Sequence, residues 1–167
     1  MHNFLSFDVE HGIQSFKERA LPYLNYTPTG EIIFLENLLQ ELEKLGFTAT
    51  FFVLTSELDH YKTVLKEALK LGHEIASHGH NHIRINKLHT SVFVEDILLS
   101  KKILEDCFQV QVNGYRAPGF SLNEETAWSI RLLNEAGFKY SSSSNFRFEF
   151  INKIPIISNE KMRALLQ

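Results

Sequence analysis

Two imidazoles four residues apart, His78 and His82, and two carboxylates two residues apart, Asp8 and Glu10, are the side chains whose types and spacing could do chemistry together. The histidines belong to the run Ser77-His78-Gly79-His80-Asn81-His82, which follows the strand-like Glu74-Ile75-Ala76. The carboxylates close Phe4-Leu5-Ser6-Phe7-Asp8-Val9-Glu10, a second apolar stretch that runs straight into acid. On an extended strand residues two apart share a face, so Asp8 and Glu10 look toward one site while Val9 turns into the packing. Like charges that close are costly unless something positive sits between them, and a divalent cation would supply that charge. If the backbone turns helically after the strand, His78 and His82 can meet one ion, with His80 directed elsewhere.

Each element of this pattern has an ordinary reading when taken singly. Acidic residues cap helices and populate loops, and an isolated histidine is usually a hydrogen-bonded packing residue. His73, placed before the same strand, is expected to support backbone rather than bind metal, and His60 and His89 have no partners in the sequence. A third stretch adds weight. In Gly114-Tyr115-Arg116-Ala117-Pro118-Gly119-Phe120-Ser121 an arginine leaves a strand and enters a rigid loop. It is the third strand end to carry a charged or metal-capable group, and the carboxyl ends of parallel strands are where α/β sites assemble.

The elements that would position these groups follow from periodicity. Strands are predicted over Asn3 to Phe7, Thr48 to Leu54, Glu74 to Ser77, Val110 to Tyr115, Phe138 to Tyr140 and Ile154 to Ile157. Helical patterns run from Glu31 to Leu45, Tyr61 to Leu71, about Ser91 to Phe108, and Glu124 to Ala136. Gly46, Gly72 and Gly137 stop three of these helices, and the next strand begins at once. Helix-glycine-strand alternation is what β-α units with parallel strands produce, so the fold class is α/β. The longest unassigned stretch, His11 to Gly30, leaves the carboxylate-bearing strand and could wall one side of a cleft. Phe51 and Phe52 are expected to pack in the interior.

Composition bounds the rest. A chain of 167 residues that is 44% hydrophobic and 22% charged suits one domain spanning residues 1–167 with its own core. A formal net charge of -3, with no basic block, offers nothing to a phosphate backbone, so nucleic acid is not an expected partner. No stretch has the roughly eighteen apolar residues of a membrane span, and no leader pattern opens the chain. With the single Cys107 read as a small core thiol, a cytoplasmic location is expected.

The ordered motifs resemble those of the polysaccharide deacetylases with a NodB homology domain, also called carbohydrate esterase family 4. Ser6-Phe7-Asp8-Val9-Glu10 resembles the first motif of that family, Thr50-Phe51-Phe52 its second-strand signature, Ser77 to His82 its histidine motif, and Arg116-Ala117-Pro118 its arginine-proline motif. The resemblance implies a distorted, incomplete β/α barrel and a metal-dependent hydrolase that removes N- or O-linked acetyl groups from a carbohydrate. It implies Asp8 as catalytic base, Arg116 as the residue that holds it, and His78, His82 and Glu10 as metal ligands. The loop after Pro118, with the Phe120 backbone N–H, corresponds to the oxyanion donor. Zinc is the expected ion, since two neutral imidazoles and one carboxylate leave a position for water, whose pKa falls toward about 7 when bound.

Two departures qualify the resemblance. Val9 separates the two acids where the commonest family pattern has adjacent aspartates. Ser141 stands where a later aspartate should be, and no histidine follows His89 to serve as the general acid. Loss of that acid slows amide hydrolysis by about 100-fold to 10,000-fold. A chain so altered, and possessed of a barrel truncated at its C-terminal side, could be an impaired enzyme or a metal- or carbohydrate-binding pseudoenzyme. It could also present an open edge that a second copy or another partner covers. Two histidines and a carboxylate would equally suit non-haem iron.

Overall fold

The computed structural model describes residues 4–11 and 29–143. Among the described residues, strands and α-helices alternate: β1 (Ser6–Val9), α1 (Thr29–Leu45), β2 (Thr50–Val53), α2 (Leu58–Lys70), β3 (Glu74–Ser77), α3 (Thr90–Phe108), β4 (Gly114–Tyr115), α4 (Trp128–Glu135) and β5 (Tyr140–Ser141). The strands form one sheet in the order β1-β2-β3-β4-β5, every pair parallel. Each strand adds to the same edge, and right-handed crossovers then place all the helices on one face. The other face is left to curl toward a lumen, as in a β/α barrel.

Register decides what each face carries. Phe7, Phe51 and Ile75 are neighbours across β1, β2 and β3 and turn toward the helices, as do Val9 and Val53. Asp8 pairs with Phe52 and Ser6 with Thr50, so the lumen face is the one that carries the acid. The helices close over the first face with stripes at helical spacing: Leu35, Leu39 and Leu42 on α1, Tyr61, Val64, Leu65 and Ala68 on α2, and Phe93, Ile97 and Leu104 on α3. Each fully buried leucine, isoleucine, valine or phenylalanine of this set contributes about 1.5–3 kcal/mol. Cys107 packs half-buried at the margin of this core.

The helix stops predicted from sequence are left-handed caps. Gly46, Gly72 and Gly137 have φ of 68°, 85° and 82°, and the N–H groups of Phe47, His73 and Phe138 reach back to Leu42, Ala68 and Leu133 at 3.0 Å. These 6→1 bonds satisfy helix carbonyls and launch the next segment.

Several boundaries differ from the sequence reading. β1 covers Ser6–Val9 rather than Asn3 to Phe7, because pairing with β2 carries Asp8 into the sheet. Only Gly114–Tyr115 of the predicted Val110 to Tyr115 strand is paired. The Val112 N–H goes instead to the Glu105 carboxylate at 3.0 Å and its carbonyl to the Lys101 ammonium, so α3 side chains take the bonds a strand would have used. The helix predicted from Glu124 opens as a single 3-10 turn capped by Asn123 and Thr126, with α4 beginning at Trp128. β5 sits at Tyr140–Ser141, two residues beyond the predicted start. The expected strand at Ile154 to Ile157 and most of the His11 to Gly30 stretch lie outside the described residues.

Candidate functional site

Three strand ends converge. Glu10 follows β1, His78 follows β3 with its N–H donated to Val53 at 2.9 Å, and Arg116 follows β4 with its N–H donated to Ser77 at 2.8 Å. The sheet thus places side chains more than a hundred positions apart in sequence on one lumen-facing rim.

Glu10, His78 and His82 each offer a ligand atom, and these atoms lie within 4.8 Å of one another. His82 Nε2 is 2.7 Å from Glu10 Oε2, and His78 Nε2 is 3.8 Å from the same oxygen. Glu10 Oε2 is buried, and among the described residues this close approach of His82 is not matched by a partner of good hydrogen-bonding geometry. A buried carboxylate oxygen in that condition is costly, and a cation between the three donors relieves it. Donors about 2.0–2.2 Å from one ion stand roughly 3.4 Å apart in a tetrahedron, so the residues present fit a divalent metal after small side-chain adjustments.

Protonation suits the same purpose. The His78 Nδ1 lies 2.9 Å from the Arg116 carbonyl, which can only accept, so Nδ1 carries the hydrogen and Nε2 presents a lone pair to the site. Burial holds the His78 pKa below the ordinary 6.5, against the opposing pull of Asp8, Glu10 and that carbonyl. Burial pushes the Glu10 carboxyl up, but the contact and field of His82, with His78 and His11, outweigh it and keep the acid below its ordinary 4.5. His78, kept neutral by burial, is in the state a metal ligand needs.

Asp8 stands beside this cluster with its side chain 28% exposed, and Arg116 Nη1 donates to its Oδ1 at 2.7 Å. Arg116 Nη2 donates to Ser6 Oγ at 2.7 Å and Ser142 Oγ at 2.8 Å, and Nε to the Ser142 carbonyl at 3.1 Å. Its guanidinium lies over the Phe52 ring at 4.1 Å. A planar cation held from five sides has one orientation, and Asp8 inherits it. A cleft of about 430 Å³ opens between β1 and α1, walled by Phe7, Phe34, Leu38 and Tyr61 with Asp8 and Glu10 at its edge; His78, His82 and Arg116 do not line it.

Some expectations change. The chain does not turn helically between His78 and His82; Gly79 at φ 81° and His82 at φ 52° make an irregular loop, and these left-handed residues bring the second imidazole back to the first. His80 does point elsewhere, its Nδ1 2.9 Å from Thr55 Oγ1. His73 supports backbone, its Nδ1 accepting the Ala49 N–H at 3.0 Å. Pro118 starts a 3-10 turn in which the Phe120 N–H is donated to the Ala117 carbonyl at 3.0 Å, so that donor is engaged within the loop. Phe52 is buried as expected, yet it lies on the site face beneath Arg116. Ser141 bonds Ser143 at 2.5 Å, and Ser143 Oγ accepts the Ala117 N–H at 2.8 Å, so this serine run holds the arginine loop rather than offering an acid. Ser6, Ser142 and Asp96 escaped the sequence reading. Only Asp96 left a signal there, as a carboxylate on the inward stripe of its helix.

Comparison with known proteins points one way. The family model described as polysaccharide deacetylase matches residues 30–141. A peptidoglycan-N-acetylglucosamine deacetylase of Bacillus cereus is 28% identical over 118 residues, 71% of this chain and 50% of that protein. A peptidoglycan deacetylase of Helicobacter pylori is 29% identical over 110 residues, 65% of this chain and 36% of its own length. This chain therefore spans half or less of those relatives. Among solved structures, a pseudoenzyme of carbohydrate esterase family 4 from Bacillus anthracis superposes with a TM-score of 0.63 at 14% identity, covering 83% of this chain and 41% of that one, a likeness of fold. Asp8 and Glu10 precede the matched segment, and the sheet is what joins them to it.

Proposed function

The chain belongs to the polysaccharide deacetylase family, and on that premise we propose that it is a metal-dependent hydrolase removing acetyl groups from a carbohydrate, with Glu10, His78 and His82 as the metal ligands. The observation that carries this reading is the convergence of those three donors within 4.8 Å beside an arginine-held aspartate. The relatives named above act on peptidoglycan by name, and an acetylated glycan is the substrate class proposed here.

A bound divalent ion, expected to be zinc, supplies Lewis acidity to an acetyl carbonyl and acidity to a water. Asp8 accepts the proton of the attacking water on the oxygen that Arg116 leaves open, since Arg116 is bonded to Oδ1. Arg116 fixes the direction of that carboxylate, and Ser6 and Ser142 fix Arg116. His78 holds its ligand tautomer through the Arg116 carbonyl, so one residue serves both the base and the metal half of the site. Pro118 and Phe120 shape the loop beside them, with Phe120 46% exposed and able to meet a sugar face.

Within these 167 residues no side chain is assigned to protonate the departing group. These 167 residues place Ser141 at the expected acid and carry no histidine after His89. An alkoxide leaves more readily than an amide anion, so O-acetyl groups are proposed to be better substrates than N-acetyl groups. The alternative is a metal- or glycan-binding protein without turnover. Acetate release from O- and N-acetylated oligosaccharides, with and without added zinc, separates the readings. Metal-dependent release lost in Asp8→Asn supports the hydrolase, metal binding without release supports the alternative, and the absence of both release and metal binding refutes both.

A further inference from the structure

We propose that Asp96, a side chain outside the metal cluster, is the positioning residue that sets the two histidines for the ion; this rests on the metal reading above. Asp96 sits on α3, on the stripe that buries Phe93, Ile97 and Ser100. One of its oxygens accepts the His80 N–H at 2.9 Å, and the other accepts the Asn81 N–H at 3.1 Å and the Asn81 side-chain amide at 3.3 Å. The preceding N–H, that of Gly79, goes to Ser77 Oγ at 3.1 Å, and Ser77 Oγ is hydrogen-bonded to Ser100 of the same helix. Three successive loop N–H groups between the two imidazoles are therefore gathered toward α3.

The consequence is geometric. With the loop N–H groups drawn to one side, the left-handed turns at Gly79 and His82 are held, and the His78 and His82 rings come to 5.3 Å between centroids beside Glu10. Gly79 is adapted to this: a Cβ there would meet Asp96 Oδ2 at 2.8 Å, on a backbone that L side chains rarely adopt. Opposite Asp96, the Gly79 and His80 carbonyls accept the Thr55 and Ser56 N–H groups at 3.1 and 3.2 Å, so the loop is gripped from both sides. Residues that orient ligands in this way typically alter metal affinity 10–100-fold when changed.

The test is zinc affinity of the whole chain, measured by competition with a chromophoric chelator, alongside the urea unfolding midpoint without metal. Asp96→Asn keeps the size but turns one acceptor into a donor facing N–H groups; zinc binding is expected to weaken about 10–100-fold. Asp96→Glu, which keeps charge and both acceptors at a displaced position, is expected to lose less than Asp96→Asn and serves if the latter does not fold. Glu95→Gln, an exposed neighbour with the same charge change, is expected to bind as the parent does. Affinity within about twofold of the parent in both Asp96 variants, or a loss matched by Glu95→Gln, overturns the proposal. Failure of the parent itself to bind zinc overturns the metal reading and this role with it, so the parent titration tells the two failures apart.

Discussion

Replacing Arg116 by methionine tests whether the arginine is the clamp of the site. The residue is 7% exposed, and its guanidinium donates to Asp8, Ser6 and twice to Ser142, tying β1 to the segment after β5. Methionine keeps an unbranched stem against Phe52 and removes every donor. Hydrogen bonds to a charged group contribute about 1.5–3 kcal/mol each, but the four do not sum. Asp8 is partly exposed and can turn to water, which limits its share to about 1 kcal/mol or less. The Ser6 and Ser142 hydroxyls can rotate, whereas the Ser142 carbonyl loses its donor outright. The expected loss is about 3 kcal/mol for Arg116→Met, the scale of the Ser142 carbonyl left without its charged donor together with the small share of Asp8. Arg116→Lys, which keeps charge but not the fork, should lose about half that. Urea unfolding followed by circular dichroism and by the fluorescence of Trp128 gives both values. Arg116→Met within about 0.5 kcal/mol of the parent, the range of an ordinary surface change, would refute the clamp.

Two further outcomes follow from the lumen face and the core. In Gly114→Ala the new Cβ would lie 2.3 Å from Tyr140 Cζ and its hydroxyl, so the ring must leave and its 2.6 Å hydrogen bond to Glu74 breaks. A loss of about 1–3 kcal/mol is expected, and adding Tyr140→Ala should cost less than the sum of the two single changes, as measured by denaturant unfolding. Burial holds the His73 pKa below 6.5, and its Nδ1 must stay unprotonated to accept the Ala49 N–H. The unfolded chain therefore binds more protons below about pH 6.5, so stability present above that value falls as pH drops toward the native pKa. The slope attributable to His73 is at most about one proton, about 1.4 kcal/mol per pH unit, and unfolding midpoints between about pH 7.5 and 5.5 should depend less on pH in His73→Gln.

Much of this was legible because it is periodic or local. The leucine stripe of α1, the glycine stops and the β-branched and aromatic run of β2 each declare themselves within one segment, and the fold class follows from their alternation. Asp8, Glu10, His78, His82 and Arg116 were legible as strand-end residues, since parallel order carries such ends to one rim. Ser6 and Ser142 were not, because a serine gains meaning only from the cation 110 or 26 positions away that it bonds. The shortness of β4 was hidden for a related reason: Glu105 and Lys101, on another element, compete for the backbone of Val112. The left-handed turn at His82 runs against the usual preference of a non-glycine residue, and tertiary grip from α3 and the Thr55 segment stabilises it.

The most direct measurement is a zinc K-edge X-ray absorption spectrum of the chain loaded with one equivalent of metal. Two imidazole nitrogens at about 2.0–2.1 Å with oxygen ligands at about 2.0–2.2 Å, and loss of one imidazole in either His78→Ala or His82→Ala, are the predicted result. A sulfur neighbour from Cys107, or a spectrum unchanged by removing either histidine, would contradict the metal centre proposed here.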